Sequence, residues 1–283
     1  MDSAFFSMPV QPTTAVLLAL TLALTRPGAP APPVDGVTVT FLANEGVLLS
    51  GETRAGPRDV LIDALVEPYE SYPAPAESTQ AALREARGPF AGVDVVLVTH
   101  RHGDHFHPAP AAAHLAANPR AILVTSRQVL DSLRGRASAG LLRDRVAPRT
   151  QPPGNRRRML VNDVPVELVG LPHSGGRRHR HVEHLAFLVE LGGRRVLHLG
   201  DAELSEETLA PLRLDTMRVD VALVPFWALT DEDTRGAVER WIRPGRMAAF
   251  HLSDEAAART RGELVGAAPG VHVFSRRLER VTW

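Results

Sequence analysis

The chain has 283 residues, enough for one large domain or two small ones with a sizeable core. Lysine plus arginine equals aspartate plus glutamate at 32 each, which leaves no net field to gather nucleic acid or an anionic membrane. Cysteine is absent, which excludes disulfides, thiolate metal ligands and a cysteine nucleophile.

The apolar block from Ala15 to Leu24 is too short to span a bilayer and has the length of a signal-peptide core. The Pro/Ala-rich segment from Arg26 to Pro33 cannot form a regular element. Residues 1–33 therefore read as a signal peptide or a disordered leader with a Pro/Ala linker. No Lys or Arg precedes the block, and Pro32 follows the small residues Ala29-Pro30-Ala31, so an N-terminal helix packed on the domain is the alternative. A signal peptide implies export to a periplasmic or extracellular site; without one the protein is cytoplasmic.

From residue 34 to 283 the pattern is that of one α/β domain. Val37–Leu42 and Gly46–Ser50 alternate like strands around the turn Ala43-Asn44-Glu45-Gly46. Asp59–Asp63 is a third strand ending in a carboxylate. An irregular loop over 67–78 then carries Tyr69 and Tyr72, before a helix over Ser78–Ala86. Val93–Val98 is short, valine-rich and apolar, the mark of a buried strand. Beyond it, Pro110–Ala117 reads as a helix, Ala121–Thr125 as a strand and Arg127–Leu142 as a helix interrupted near Gly135. Thr150–Arg158 reads as a turn-rich connector. Strands follow at Val164–Val169, Leu185–Leu191 and Arg195–Leu199, the last two joined by a Gly192-Gly193 turn. Val219–Val224 and Met247–Leu252 are further strands, with a helix over Glu232–Ile242 between them. A helix over Asp254–Val265 and a closing strand over Val271–Phe274 complete the chain.

The strand Val93–Val98 delivers the chain into Thr99-His100-Arg101-His102-Gly103-Asp104-His105-Phe106. Three imidazoles and a carboxylate so close together suit zinc or a similar divalent ion. In an extended chain residues 100, 102 and 104 project to one side, with His105 beside them. Gly103 removes bulk where the backbone must bend close to an ion. A histidine-rich surface loop is the plainer alternative.

The H-x-H-x-D-H pattern after an apolar strand resembles the metallo-β-lactamase superfamily. That resemblance implies an α/β fold, a single-domain four-layer αββα sandwich with the metal centre between two sheets. It also implies three further ligands from later strand ends. His173 follows Gly170-Leu171-Pro172, Asp201 follows Leu199-Gly200, and His251 stands in the otherwise apolar Met247–Leu252. His179, His181 and His184 are the rivals of His173 and read as solvated or substrate-facing. His272 is the rival of His251, and Asp201 has the alternative of starting a helix at Ala202. His198 reads as a core or supporting histidine.

On this resemblance His100, His102 and His173 hold one ion and Asp104, His105 and His251 the other, with Asp201 shared. Such ligands suit two divalent ions, zinc first, with manganese or iron permitted. Ions roughly 3.5–4 Å apart make a bridging hydroxide available near neutral pH, and Asp104 is the candidate catalytic residue that orients it. The implied reaction is hydrolysis of an ester, lactone, amide or phosphodiester in a small-molecule substrate. Leu197-His198-Leu199-Gly200-Asp201, and the absence of Gly-His-Thr around His173, are most similar to the branch of ascorbate-6-phosphate lactonase and the N-acylphosphatidylethanolamine phospholipases. Arg177, Arg178 and Arg180 point to an anionic substrate or merely keep a loop solvated. The alternative function is a non-catalytic or regulatory metal-binding protein on the same fold. A flavin-linked diiron role is disfavoured because that group carries Glu where His102 stands here.

Nothing in the Pro/Ala segment can join a sheet, so a chain beginning at Val34 should be soluble, take up metal and melt close to the full-length temperature. Aggregation of the shortened chain would show instead that the leader packs on the domain.

Overall fold

Branched side chains suit a pleated surface packed on both faces, and the valine- and leucine-rich runs accordingly become strands. The computed structural model describes residues 36–252 and 254–283. The leader, residues 1–33, lies outside them. Among the described residues the strands form two seven-stranded mixed sheets.

The first sheet contains β1 (Val37–Ala43), β2 (Gly46–Thr53), β3 (Gly56–Ile62), β4 (Val93–Leu97), β5 (Ile122–Thr125) and β6 (Val146–Pro148) in that order. The second runs from β7 (Arg156–Val161) through β8 (Val164–Gly170), β9 (Leu185–Leu191), β10 (Arg194–His198), β11 (Val221–Pro225) and β12 (Arg246–Phe250) to β13 (His272–Val273). The last strand, β14 (Arg280–Thr282), returns to the first sheet and pairs antiparallel with β1. Strands β3 to β6 are parallel, as are β10 to β13. The remaining pairings are antiparallel.

Three apolar layers show how the sheets stack. Phe41, Ile62, Val95 and Leu97 of the first sheet pack with Leu168, Phe187, Leu223 and Phe250 of the second. On its other face the first sheet meets α1 (Glu77–Arg84), α2 (Pro108–Ala117) and α3 (Arg127–Leu133) through Leu61, Val96, Leu83, Leu115 and Leu133. The outer face of the second sheet packs Leu197 and Val224 against Leu229, Val238 and Leu264 of its own helices. This is the αββα sandwich. Strand β4 is buried on both faces because its residues serve two cores: Val95 and Leu97 face the other sheet, Val93 and Val96 the helices.

Several elements differ from expectation. The stretch Thr150–Arg158 is only partly connector, since Arg156 begins the edge strand β7. Its arginines are exposed, so it lacks the apolar alternation that marks a strand, and charges of this kind also blunt a free edge. Val271–Phe274 does not close the fold, because β14 follows it. The break expected near Gly135 is present: α3 ends at Leu133, and α4 (Ala139–Arg145) follows and runs past Leu142, the two capped by Ser126 and Ser138 through their hydroxyls. No helix of the described residues is long and apolar enough to cross a membrane.

Phe187 is fully buried between the sheets. Phe187→Ala should cost about 3–5 kcal/mol of stability, read as a lower denaturant midpoint at unchanged slope. A loss below about 1 kcal/mol would show that the sheets do not meet there.

Candidate metal centre

Ligand-type side chains gather where parallel strands of both sheets end, the usual place for a site in open α/β sheets. Strand β4 leads into His100, His102, Asp104 and His105; β10 leads through Leu199 and Gly200 to Asp201; β12 leads directly to His251. His173 follows β8 and forms an isolated bridge with Ala202, which ties it to the turn carrying Asp201.

The structure brings the seven residues into two adjoining clusters. In the first, His100 Nε2, His102 Nδ1 and His173 Nε2 lie 3.0–3.2 Å from one another. Around a tetrahedral zinc with bonds of about 2.0–2.1 Å, nitrogens sit roughly 3.3 Å apart, so this spacing fits one cation. The outward nitrogens of His173 and His100 are already used. His173 Nδ1 donates to Ser174 O at 2.7 Å, and His100 Nδ1 lies 3.0 Å from Thr99 Oγ1. The inward lone pairs are therefore free.

In the second cluster His105 Nε2 and His251 Nε2 lie 3.4 and 3.2 Å from Asp104 Oδ2. Asp201 divides its carboxylate between the clusters. Its Oδ1 lies 3.3 Å from His105 Nε2 and 3.4 Å from His251 Nε2, while Oδ2 lies 3.5 Å from His173 Nε2 and 3.9 Å from His100 Nε2. His105 Nε2, His251 Nε2 and Asp201 Oδ1 are buried with no hydrogen-bond partner. Buried polar atoms are normally paired, so these orphans fit divalent cations as the missing partners. Asp201 caps no helix, because the next one, α5 (Glu206–Leu209), begins later under Ser205.

The electrostatics follow from burial. Burial holds His100 well below its ordinary pKa and His102 at about 4, with neighbouring histidines adding to the effect. These rings stay neutral, as ligation requires. Burial also disfavours charge on His105, but the carboxylates of Asp201, Asp104 and Glu45 outweigh it and raise His105 well above the ordinary value. Burial opposes ionisation of Asp104 and Asp201 too, yet His105 and His251 hold both below the usual carboxylate range.

Sequence reasoning passed over several groups at the centre. Asp63, just after β3, accepts from Thr99 N at 2.8 Å and from His105 Nδ1 at 2.9 Å, which turns Nε2 inward. Its place after Val60-Leu61-Ile62 was the available signal. His184, expected to be solvated or substrate-facing, is buried and has both ring nitrogens unpaired. Burial and the neighbouring His173 lower its pKa to about 3. It stands just before β9, and a Cβ on Gly200 would lie 2.7 Å from its Nε2, so the left-handed Gly200 (φ +56°) lets the Asp201 turn close over it. His179 is half-buried, 4.8 Å from the ring of His173 and 5.1 Å from that of His102. His181, Arg177, Arg178 and Arg180 are exposed. His272 pairs with Glu279 at 2.9 Å, away from the centre. Gly103 also leaves room for Tyr69: a Cβ there would lie 2.5 Å from Tyr69 Cδ2. Tyr72 and Trp227 stand edge-on to His251 at 5.1 and 4.7 Å, forming an aromatic wall.

A family model described as a β-lactamase superfamily domain matches residues 58–267, most of the chain and every residue of both clusters. The chain belongs to the metallo-β-lactamase superfamily. Its curated relatives in the superfamily include a UPF0173 metal-dependent hydrolase from Polaromonas sp., 26% identical over 83% of this chain and 85% of that protein. A second, from Symbiobacterium thermophilum, is 27% identical over 71% of this chain and 79% of that one. Among solved structures, the metallo-β-lactamase fold protein YhfI from Bacillus subtilis superposes with a TM-score of 0.55 at 13% identity, covering 88% of this chain and all of that one. Unliganded yeast PDE1 gives 0.51 at 12%, covering 88% and 99%. At such identities the two structures speak for the superfamily fold alone.

Because His105 keeps its proton at neutral pH without metal, ion uptake at pH 7 should displace it. Calorimetric heats should then change with the ionisation enthalpy of the buffer; heats independent of buffer would contradict this protonation state. Elemental analysis should show Asp201→Ala and His251→Ala losing more metal than His179→Ala or His272→Ala. Loss of metal in His179→Ala with retention in His173→Ala would reverse the assignment of those two.

Proposed function

We propose that this protein is a hydrolase that works with two divalent ions, one in each cluster, joined by Asp201. The observation that carries this reading is the division of the Asp201 carboxylate, one oxygen toward each group of histidines. Relatives named metal-dependent hydrolases, aligned over most of the chain, support the reaction class.

Divalent ions held there supply Lewis acidity toward a substrate oxygen and make a water acidic enough to attack near neutral pH. The chain's own part is positioning. Asp63 holds His105 from behind, and Ser174 and Thr99 do the same for His173 and His100. Asp104, kept ionised, accepts a hydrogen bond from the attacking water at Oδ2 and directs it, with Asn44 Nδ2 donating to the Asp104 backbone carbonyl at 3.2 Å. Tyr72, Trp227 and half-buried His179 border the approach and limit access of bulk water.

The bond cleaved is an ester, lactone, amide or phosphodiester of a small molecule, and zinc is the first choice of metal. The motif likeness to ascorbate-6-phosphate lactonase and the N-acylphosphatidylethanolamine phospholipases supports an anionic substrate. The exposed Arg177, Arg178 and Arg180, on the loop that follows His173, are placed to meet it.

A panel of generic esters, lactones and bis-p-nitrophenyl phosphate tests the proposal. Turnover should disappear on chelation, and Asp201→Asn should lower it by roughly 100-fold or more. In an Arg177/Arg178/Arg180→Ala triple variant kcat/KM should fall selectively on the phosphate-bearing substrate, and salt should shrink the difference. A protein that holds two ions and turns over none of the panel would instead be a non-catalytic metal binder.

A further inference from the structure

The seven residues do not account for every orphaned polar group at the centre. Glu45 lies on the tight turn between β1 and β2, beside Asn44 in the left-handed region (φ 49°). Three elements hold this turn in the site. His198 Nε2 donates to Glu45 O at 3.0 Å, His251 N donates to Asn44 O at 2.9 Å, and Asn44 Nδ2 donates to Asp104 O at 3.2 Å. The Glu45 side chain is fully buried, and neither carboxylate oxygen has a hydrogen-bond partner.

A buried carboxyl needs a partner whether ionised or protonated. The closest ionisable group is His105, whose Nδ1 lies 3.7 Å from Glu45 Oε2, too far for a hydrogen bond and already engaged with Asp63. Toward the second cluster, however, ligand-type atoms of Glu45, His105, Asp201 and His251 all lie within 4.8 Å of one another. Burial, an unpaired anionic group and convergence on Asp201 and His251 point the same way.

We propose that Glu45 is a further ligand of the second ion, and that it makes the two metal positions chemically unequal. The first position offers three imidazoles and one oxygen of Asp201. The second offers two imidazoles with carboxylates from Asp104, Asp201 and Glu45. Added carboxylates narrow zinc's ordinary advantage over harder ions, so manganese or iron(II) is held far better at the second position than at the first, which remains a zinc position. This inference rests on the two-ion reading above and adds to it a ligand and an order of preference.

The test loads metal-free full-length protein with one equivalent of Zn²⁺ and then with excess Mn²⁺, followed by desalting, elemental analysis and manganese electron paramagnetic resonance. Wild type should retain one zinc and one manganese per chain, with manganese bound at least tenfold more tightly than in Glu45→Gln. Glu45→Gln should keep its first zinc, and Glu45→Asp, which restores the charge, should recover part of the manganese affinity. A Glu45→Gln variant that holds manganese beside its first zinc as tightly as wild type does would overturn the inference and leave the two-ion reading standing. Wild-type protein that never holds more than one ion, with either metal alone in excess, would overturn both. Should Glu45→Gln fail to fold, crystals of the zinc- and manganese-loaded wild type decide: a Glu45 carboxylate coordinated to the manganese supports the inference, and an uncoordinated one overturns it.

Discussion

Ring nitrogens of five histidines, together with the two oxygens of Asp201, converge inside this molecule. Bringing uncompensated polar atoms into a buried space opposes folding, and the fold tolerates them only because they converge on two points that cations can fill. The ligands come from four strand ends, at β4, β8, β10 and β12, so neither cluster exists until both sheets are stacked. Metal binding and packing of the sandwich are therefore coupled: an ion that prefers the folded chain contributes its binding free energy to stability.

The supporting contacts are as specific as the ligands. Asp63 fixes the ring of His105, Gly200 leaves room for the Asp201 turn against His184, and Gly103 leaves room for Tyr69 over the histidine loop. The two sides of the site also differ. Around His102 and His173 it is lined by another imidazole, His179, whereas His251 is flanked by Tyr72 and Trp227. A substrate spanning both clusters would meet a polar wall on one side and an aromatic wall on the other.

Much of this was legible in the sequence, for physical reasons that differ by element. Strand β4 stood out because both its faces are buried, and the histidine loop because its residue types are rare together. His173, Asp201 and His251 each follow an apolar strand, and the structure places all three against the histidine loop. The edge strands β6, β7 and β14 were not legible: two have three residues each, and the third exposes its arginines. Glu45 could not be singled out, since a glutamate in a hairpin turn is ordinarily solvated and only the second sheet, through His198, reveals that this turn is buried. His184 was misjudged for a similar reason, since Arg180 and His181 before it are exposed while His184 itself is buried against His100 and His173.

The central claim is that the two clusters each hold one ion and share Asp201. Anomalous diffraction from crystals of zinc-loaded protein, collected on both sides of the zinc edge, tests this most directly. Two peaks roughly 3.5–4 Å apart, with the Asp201 carboxylate between them, are the predicted result. A single peak, or a second one remote from His105 and His251, would contradict the account.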